Sequence, residues 1–194
     1  MAPGARRQPT ARQLALLADL EELFLVKGFA AFTLDDLAAQ LSCSKSTLYT
    51  LAASKEQLAT LVVRRFFKGA ARTIEERISD KTDVREVVAT YLAGVSDQLD
   101  RASPEFMRDI AEFAPARAEY ESNSRAAAER ISSFIDDGVR DGTFREVHAT
   151  LIAQFVGVLI EAIQTGVVAD RAGVSDAEAY TALAELLLDG LTRE

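Results

Sequence analysis

Apolar residues recur at three- and four-residue spacings through most of the chain, which is the pattern of amphipathic helices. In the first such segment Leu16, Leu20 and Phe24 fall on one helical face, and Leu37 and Leu41 do so in the next. No segment alternates apolar and polar residues in the way that predicts a half-buried strand. The pattern therefore predicts an all-α protein of about nine helices.

Helix starts are predicted from capping boxes, in which a Ser or Thr oxygen and a side chain three residues later satisfy free backbone N–H groups. Four pairs fit: Thr10 with Gln13, Thr33 with Asp36, Ser54 with Gln57, and Ser175 with Glu178. Ser44 is a further N-cap candidate, and Ser103 precedes a proline suited to a first helical position. The predicted helices span 10–27, 34–41, 45–51, 55–79, 83–101, 104–113, 117–140, 147–168 and 176–191.

The second and third predicted helices are too short to be stable alone, because nucleation costs more than so few hydrogen bonds return. They need a core shared with the first helix and the start of the fourth, and Leu48 is the inward residue of the third. The short segment "SCS" between them leaves room only for a tight turn. The sequence thus predicts an N-terminal three-helix bundle with a helix-turn-helix.

The net charge of −8 would argue against a polyanionic partner, but the charges are unevenly distributed. Residues 1–70 carry nine Lys/Arg against six Asp/Glu, a net +3, whereas the rest of the chain has a net −11. A basic N-terminal quarter, which includes a basic tail before Thr10, indicates that this end faces a polyanion. The competing interpretation is an accidental gradient of solvent-facing charge.

The third helix, "KSTLYT", contains no acidic residue, and all of its side chains except the inward Leu48 are polar or can form hydrogen bonds. Short hydroxyl side chains can reach base edges in a major groove, while Lys and Tyr reach phosphates. Thr33 and Lys55 lie at the starts of neighbouring helices, where helix N-termini favour phosphate. The alternative is an ordinary solvated surface helix. The predicted DNA-binding residues are Thr33, Ser44, Lys45, Ser46, Thr47, Tyr49, Thr50 and Lys55.

The stretch "LEELFLVKGFAAFTLDDLAAQLSCSKSTLYTLAASKEQL" resembles the DNA-binding region of the TetR-like (tetracycline-repressor) family of bacterial transcriptional regulators. The resemblance lies in Gly28 after Leu23-Phe24, in Thr33, and in "S-x-S-T-L-Y" followed by "S-K-E-x-L". It covers about a quarter of the chain. The chain departs from the family pattern with Leu41-Ser42-Cys43 in place of Ala-Gly-Val, Ser46 in place of glycine, and Leu51-Ala52 in place of an aromatic pair. These departures put a phosphate contact at Leu51 in doubt.

The resemblance implies a DNA-binding domain over residues 1–54 and a helical effector-binding and dimerisation domain over residues 55–194. It also implies a homodimer on a double-stranded operator. The composition of the last helices supports the dimer: the segment 147–168 is apolar nearly all round, and 176–191 has apolar residues on more than one side. Such helices must bury more than one face, either within one subunit or, as we expect, between two.

The middle helices supply aromatic and sulfur-containing side chains for a small-molecule effector, for which a largely apolar or uncharged compound is expected. Such residues are more often plain core than ligand contacts. Cys43 is expected to be a buried structural thiol, and the lone His148 a surface or capping residue. The candidate effector contacts are Phe66, Tyr91, Phe106, Met107, Phe113, Phe134 and Phe155.

The sequence contains no Gly-rich phosphate loop, metal-ligand cluster or second histidine, so neither an enzyme, a cofactor nor a bound metal is predicted. No apolar signal segment or membrane span is apparent, and the single cysteine fits a reducing cytoplasm. The leading hypothesis is a repressor released from a near-palindromic operator by its effector. The alternative is a helical ligand-binding or interaction protein with a degenerate DNA-reading head.

Overall fold

The computed structural model describes residues 10–191, except for the side chains of residues 176 and 177, and its regular elements over that range are helices without strands. The ten helices are α1 (Ala11–Lys27), α2 (Leu34–Gln40), α3 (Lys45–Tyr49), α4 (Lys55–Ile78), α5 (Val84–Leu99), α6 (Pro104–Glu112), α7 (Ala114–Arg140), α8 (Ala149–Gln164), α9 (Val167–Ala172) and α10 (Asp176–Leu191). The all-α prediction is confirmed. The predicted basic tail before Thr10 lies outside the described residues.

The predicted caps form at the helix starts. Thr10 and Thr33 make complete capping boxes with Gln13 and Asp36. Ser44 Oγ accepts from the Thr47 backbone N–H at 3.2 Å. The side chains of Ser54, Ser103 and Ser175 likewise accept from the backbone N–H three residues on. Because these interactions are local, the helix starts could be predicted without knowledge of the packing.

The structure differs from the prediction where one helix was expected over 147–168. Here α8 ends at Gln164 and the short α9 begins at Val167, so the described residues hold ten helices rather than about nine. Gly166 lies between them with φ +77°, a left-handed conformation that ends a helix. In addition, α7 begins at Ala114 rather than at residue 117, with Pro115 in its first turn.

A first hydrophobic core, which we call the N-terminal core, lies beneath the helix-turn-helix. As predicted, α1, α2 and α3 share it with the start of α4. The core also includes residues of α6 and the start of α7, which lie far along the sequence. Its fully buried members include Leu20, Phe24, Leu37, Leu48, Val62, Val63, Phe66, Phe106, Ile110 and Ala116.

A second core joins α4, α5, α7, α8 and α10, with Leu92, Ile131, Ile135, Phe144 and Tyr180 among its most buried side chains. The helix α4 contributes to both cores, because its first half packs under the helix-turn-helix and Ile74 and Ile78 pack in the second core. Within residues 10–191, no helix is long and apolar enough to cross a membrane.

A buried carboxylate connects α6 to the turn between α1 and α2. Asp109 Oδ2 accepts from the backbone N–H groups of Phe29 at 2.5 Å and Ala30 at 2.8 Å. Gly28 precedes them with φ +70°, and a Cβ there would lie 2.5 Å from the same oxygen. The Ser103 N–H also donates to the Leu25 carbonyl at 2.8 Å. Both ends of α6 are therefore attached to α1 and the turn after it.

Candidate nucleic-acid interface and effector cavity

The helix α3 lies on the surface of the N-terminal bundle with one side chain inward. Leu48 is 1% exposed and packs in the N-terminal core, whereas Tyr49 is 52% exposed. Thr47 is half-buried. The other predicted DNA-binding residues of this segment are exposed: Ser44, Lys45, Ser46 and Thr50.

The hydroxyl groups at the start of α3 are held in one cluster. Ser44 Oγ lies 2.7 Å from Ser46 Oγ and 2.9 Å from Thr47 Oγ1, and it accepts from the Thr47 N–H. At the other end Thr50 Oγ1 donates to the Thr47 carbonyl at 2.7 Å. These bonds orient the short side chains before any ligand arrives, which lowers the entropy cost of binding.

Two lysines predicted to contact phosphates have partners within the protein. Lys45 Nζ lies 2.7 Å from Asp35 Oδ1 on α2, and this carboxylate raises the pKa of Lys45 above its ordinary value. Lys55 Nζ donates to the Ala30 carbonyl at 2.7 Å. The Lys45–Asp35 ion pair is exposed and therefore weak, so a phosphate can compete for Lys45. Lys55 is half-buried, and its partner is an uncharged carbonyl that a phosphate can replace.

Thr33 is exposed at the start of α2, on the same bundle as α3. Its hydroxyl donates to Asp36 Oδ2 at 2.6 Å and accepts from the Asp36 N–H. The side-chain bond from Thr33, followed by the bond from its backbone N–H, lowers the pKa of Asp36. Thr33 therefore acts as a helix cap, while its hydroxyl remains at the surface.

The start of α1 lies beside α3, a neighbour that the sequence reasoning did not identify. Thr10, Arg12, Gln13, Ser46, Thr47 and Thr50 together line an open groove of about 820 Å³. Gln13 Nε2 donates to the Thr50 carbonyl at 3.3 Å, which joins the two helices. Arg12 adds an exposed cation to this face. The cap predicted at Thr10 identifies the start of α1 from the sequence. The contact between this start and α3 depends on tertiary packing, which the sequence pattern does not reveal.

The departures from the family pattern at the end of α3 are accommodated by the core. Leu51 and Ala52 are half-buried and pack against the N-terminal core. Cys43 packs against the same core, but it is half-buried rather than buried as predicted, because it lies in the surface turn before α3. Leu51 is an apolar packing residue.

A half-open cavity of about 290 Å³ lies among α4, α5, α7 and α8. Of the seven aromatic and Met residues predicted to contact an effector, Phe66 and Tyr91 line it. Its other lining includes alanine and aliphatic residues together with several polar residues that the sequence reasoning missed. These polar residues are Glu75, Gln98, Asn123, Ser124, Arg130 and Gln164.

The remaining predicted effector contacts lie elsewhere. Phe106 is fully buried in the N-terminal core, with Met107 and Phe113 packed against that core. Phe134 packs edge-on against Tyr91, with ring centroids 5.3 Å apart, but does not line the cavity. Phe155 is 56% exposed on α8. Their apolar character thus reflects core packing in four cases and an exposed apolar face in the fifth.

An ion pair lies at the edge of the cavity. Arg130 donates through Nε and Nη2 to the two oxygens of Glu75 at 2.8 and 2.9 Å, and its guanidinium lies 4.4 Å from the centroid of the Phe134 ring. Glu75 raises the pKa of Arg130. Burial, followed by the nearby Glu75 charge, raises the pKa of Tyr91 to about 12, so this phenol is neutral over the physiological range.

An exposed apolar face runs along α8 and α10. Phe155 and Leu186, which is 68% exposed, lie together around a shallow depression with Ile152, Leu159 and Leu183. Exposed apolar surface of this kind is typical of protein interfaces. The sequence predicts that these two helices have more apolar surface than one subunit can bury. The exposed apolar face is consistent with that prediction.

His148 is the N-cap of α8, where its Nδ1 accepts from the Leu151 N–H at 3.3 Å. The predicted capping role is therefore confirmed. Among residues 10–191 no group of three or more His, Cys, Asp or Glu side chains is placed to hold a metal ion.

A small helical bundle that exposes a short polar helix behind a tight turn defines the helix-turn-helix class of DNA-binding proteins. Residues 16–62 match the family model described as bacterial regulatory proteins, tetR family. Over this region, which includes the helix-turn-helix, the chain is similar to that family.

A curated relative is also a regulator of the helix-turn-helix type. The chain is 33% identical over 101 residues to the uncharacterised HTH-type transcriptional regulator YvaF of Bacillus subtilis (strain 168), covering 50% of this chain and 52% of the relative. It thus spans about half the length of the curated relative that it matches.

The fold is similar to that of solved bacterial transcriptional regulators, among them the TetR-family regulator PfmR. PfmR from Thermus thermophilus has a TM-score of 0.65 and 24% identity, covering 92% of this chain and 99% of that protein. FadR from Bacillus subtilis, crystallised in complex with stearoyl-CoA, has a TM-score of 0.69 and 16% identity, covering 92% of this chain and 98% of that protein. At these identities the likeness concerns the fold.

Proposed function

We propose that this protein is a transcriptional repressor that binds a near-palindromic operator as a homodimer and is released by a small-molecule effector. The observation that carries the proposal is the surface of α3, where hydroxyl groups and Lys45 face solvent and Leu48 anchors the helix. Helices presented in this way enter the major groove, with polar side chains at base edges and cations at phosphates. Thr33, Arg12 and Lys55 add groups that can contact the backbone.

Dimerisation through α8 and α10 gives the assembly the two α3 helices that a near-palindromic operator requires. A two-fold interface needs one self-complementary surface, and the exposed apolar face around Phe155 and Leu186 supplies it. Two α3 helices about 34–36 Å apart would read successive major grooves. The chain then functions in the cytoplasm as a DNA-binding protein and not as an enzyme.

The effector site of this proposal is the cavity among α4, α5, α7 and α8. The helix α4 carries Lys55 beside the α1–α2 turn at one end and Phe66 and Ile74 at the cavity further along. A ligand that favours one position of α4 would change the spacing of the two reading heads, and so lower DNA affinity by its differential binding energy. The stearoyl-CoA complex of FadR supports a small-molecule site in this fold.

Replacing Lys45 or Tyr49 by Ala should weaken binding to the DNA upstream of the protein's own gene, because each change removes an exposed contact to the duplex. Loss of a phosphate contact by Lys45→Ala should also reduce the slope of log affinity against log salt by about 1. A gel-shift assay repeated over a series of salt concentrations measures both. Since neither side chain is buried, thermal denaturation should be unchanged.

Two matched variants make this experiment specific. Lys68→Ala removes an exposed lysine of α4 outside the helix-turn-helix and should leave DNA binding unchanged. Asp35→Asn removes the carboxylate that holds Lys45 and should tighten binding. If Lys45→Ala and Tyr49→Ala bind as well as the parent, the interface is assigned wrongly. No retardation by the parent at low salt would favour the helical ligand-binding protein instead.

A further inference from the structure

The cavity is largely apolar. Its walls include Phe66, Phe67, Ile74 and Val95, and α7 contributes small side chains at Ala126 and Ala127. At about 290 Å³ it has room for about ten water molecules at ~30 Å³ each. An apolar space of this size binds hydrocarbon more favourably than it binds water. The body of any ligand is therefore expected to be apolar.

Two polar atoms of the lining residues lack partners. Ser124 Oγ on α7 and Gln164 Oε1 at the end of α8 are buried and have no hydrogen-bond partner in the described part of the chain. A third polar residue of the lining, Gln98, differs because its Oε1 accepts from Arg101 at 3.0 Å. Buried polar atoms are nearly always paired, so two unpaired atoms at one cavity indicate groups that a ligand can satisfy.

The charged residues of the cavity are already paired. Glu75 and Arg130 satisfy each other through two hydrogen bonds, and the guanidinium also lies over the Phe134 ring. An anionic ligand would have to displace Glu75 from Arg130, and a cationic ligand would have to displace Arg130 from Glu75. The two side chains are 41% and 45% exposed, so solvent screens these charges and each displacement costs only the loss of the bidentate pair. The cavity therefore offers a charged ligand no free counter-ion.

From these observations, and resting on the proposed function, we propose that the effector is an uncharged amphiphile with an apolar body and a hydroxyl group that is bound by Ser124 and Gln164. A hydroxyl is both donor and acceptor. It can donate to Gln164 Oε1 and accept from Ser124 Oγ, which satisfies both unpaired atoms. The two residues thereby determine specificity, and the apolar walls supply affinity.

Four probes with similar apolar bodies test this in isothermal titration calorimetry on the full chain: n-octanol, methyl n-heptyl ether, octanoate and octyltrimethylammonium. The ether matches the alcohol in heavy atoms but cannot donate a hydrogen bond. Octanol should bind about tenfold more tightly than the ether, as expected for one buried hydrogen bond. Octanoate and the ammonium compound should bind more weakly than octanol.

Substitutions identify the residues responsible. Gln164→Met keeps the side-chain length but removes the amide, so the hydrogen bond to octanol is lost. The dissociation constants of octanol and the ether should then differ by no more than about twofold. Ser124→Ala should also weaken octanol binding. Ser122→Ala, at an exposed position of α7, should behave as the parent. In thermal denaturation the melting temperatures of both cavity variants should equal or exceed that of the parent, because each substitution removes an unpaired buried polar atom.

The outcomes separate this inference from the proposed function. Equal binding of octanol and ether, tighter binding of either charged probe, or no binding of any probe overturns the inference. A gel-shift assay with the upstream DNA is run in parallel. If octanol binds as expected but does not release the DNA, the cavity assignment is supported and the release mechanism fails. If octanoate alone releases the DNA, the release mechanism is supported and the inference fails.

Discussion

At the scale of single residues, the turn between α2 and α3 contains an unfavourable backbone conformation. Ser42 has φ +49°, and it is the one residue other than glycine with a positive φ between residues 10 and 191. The side chain is exposed, and the Ser42 N–H donates to the Ala39 carbonyl at 3.2 Å. A left-handed conformation costs an L-residue about 1–2 kcal/mol, a cost that glycine avoids.

The variant Ser42→Gly should therefore raise the free energy of unfolding by about 0.5–1 kcal/mol, since the relief of strain exceeds the added entropy of the unfolded chain. Urea denaturation measures the change. Ser79→Gly is the matched control, because Ser79 is an exposed serine at a helix end with φ −64°. Its substitution should not stabilise. Equal effects at the two positions would mean that backbone strain at Ser42 is not the cause.

At the scale of helices, the success of the sequence prediction depended on how local the information was. The starts of α1, α2 and α3 were predicted because their caps involve residues three apart. The end of α8 was missed, because the apolar pattern continues through Gly166 and does not reveal its left-handed backbone. The polar lining of the cavity was missed for a different reason: Ser124 and Gln164 lie on different helices, and only tertiary packing places both at one cavity.

The connection between α6 and the α1–α2 turn allows a test at this scale. Asp109→Ala removes the acceptor of two backbone N–H groups, those of Phe29 and Ala30. Each buried group left unpaired costs about 1–3 kcal/mol. We expect the free energy of unfolding to fall by about 2–4 kcal/mol in urea denaturation. Asp109→Asn retains a carbonyl oxygen as acceptor, so its free energy of unfolding should fall by less than that of Asp109→Ala. An Ala variant as stable as the parent would mean that the carboxylate does not connect these elements.

At the scale of the whole molecule, the proposed function requires two copies of the chain. Leu186→Glu places a charge in the exposed apolar face of α10 and should make the protein monomeric in analytical ultracentrifugation. Because two heads bind one DNA with a large effective concentration, loss of the dimer should lower DNA affinity by about 10²-fold or more.

Val26→Glu is the control for this change, because Val26 is 63% exposed on α1 and lies outside the face formed by α8 and α10. It should remain dimeric. A Leu186→Glu variant that remains dimeric and binds DNA normally would place the interface elsewhere on the molecule.

The shared N-terminal core has a consequence for engineering. Phe106 and Ile110 of α6 and Ala116 of α7 are needed to enclose the core beneath the helix-turn-helix. A hybrid regulator made by grafting residues 10–54 onto another body would leave that core open on one side. Retargeting this protein to a new operator is therefore better done by exchanging the outward residues of α3 on the intact scaffold, where Leu48 and its surroundings are preserved.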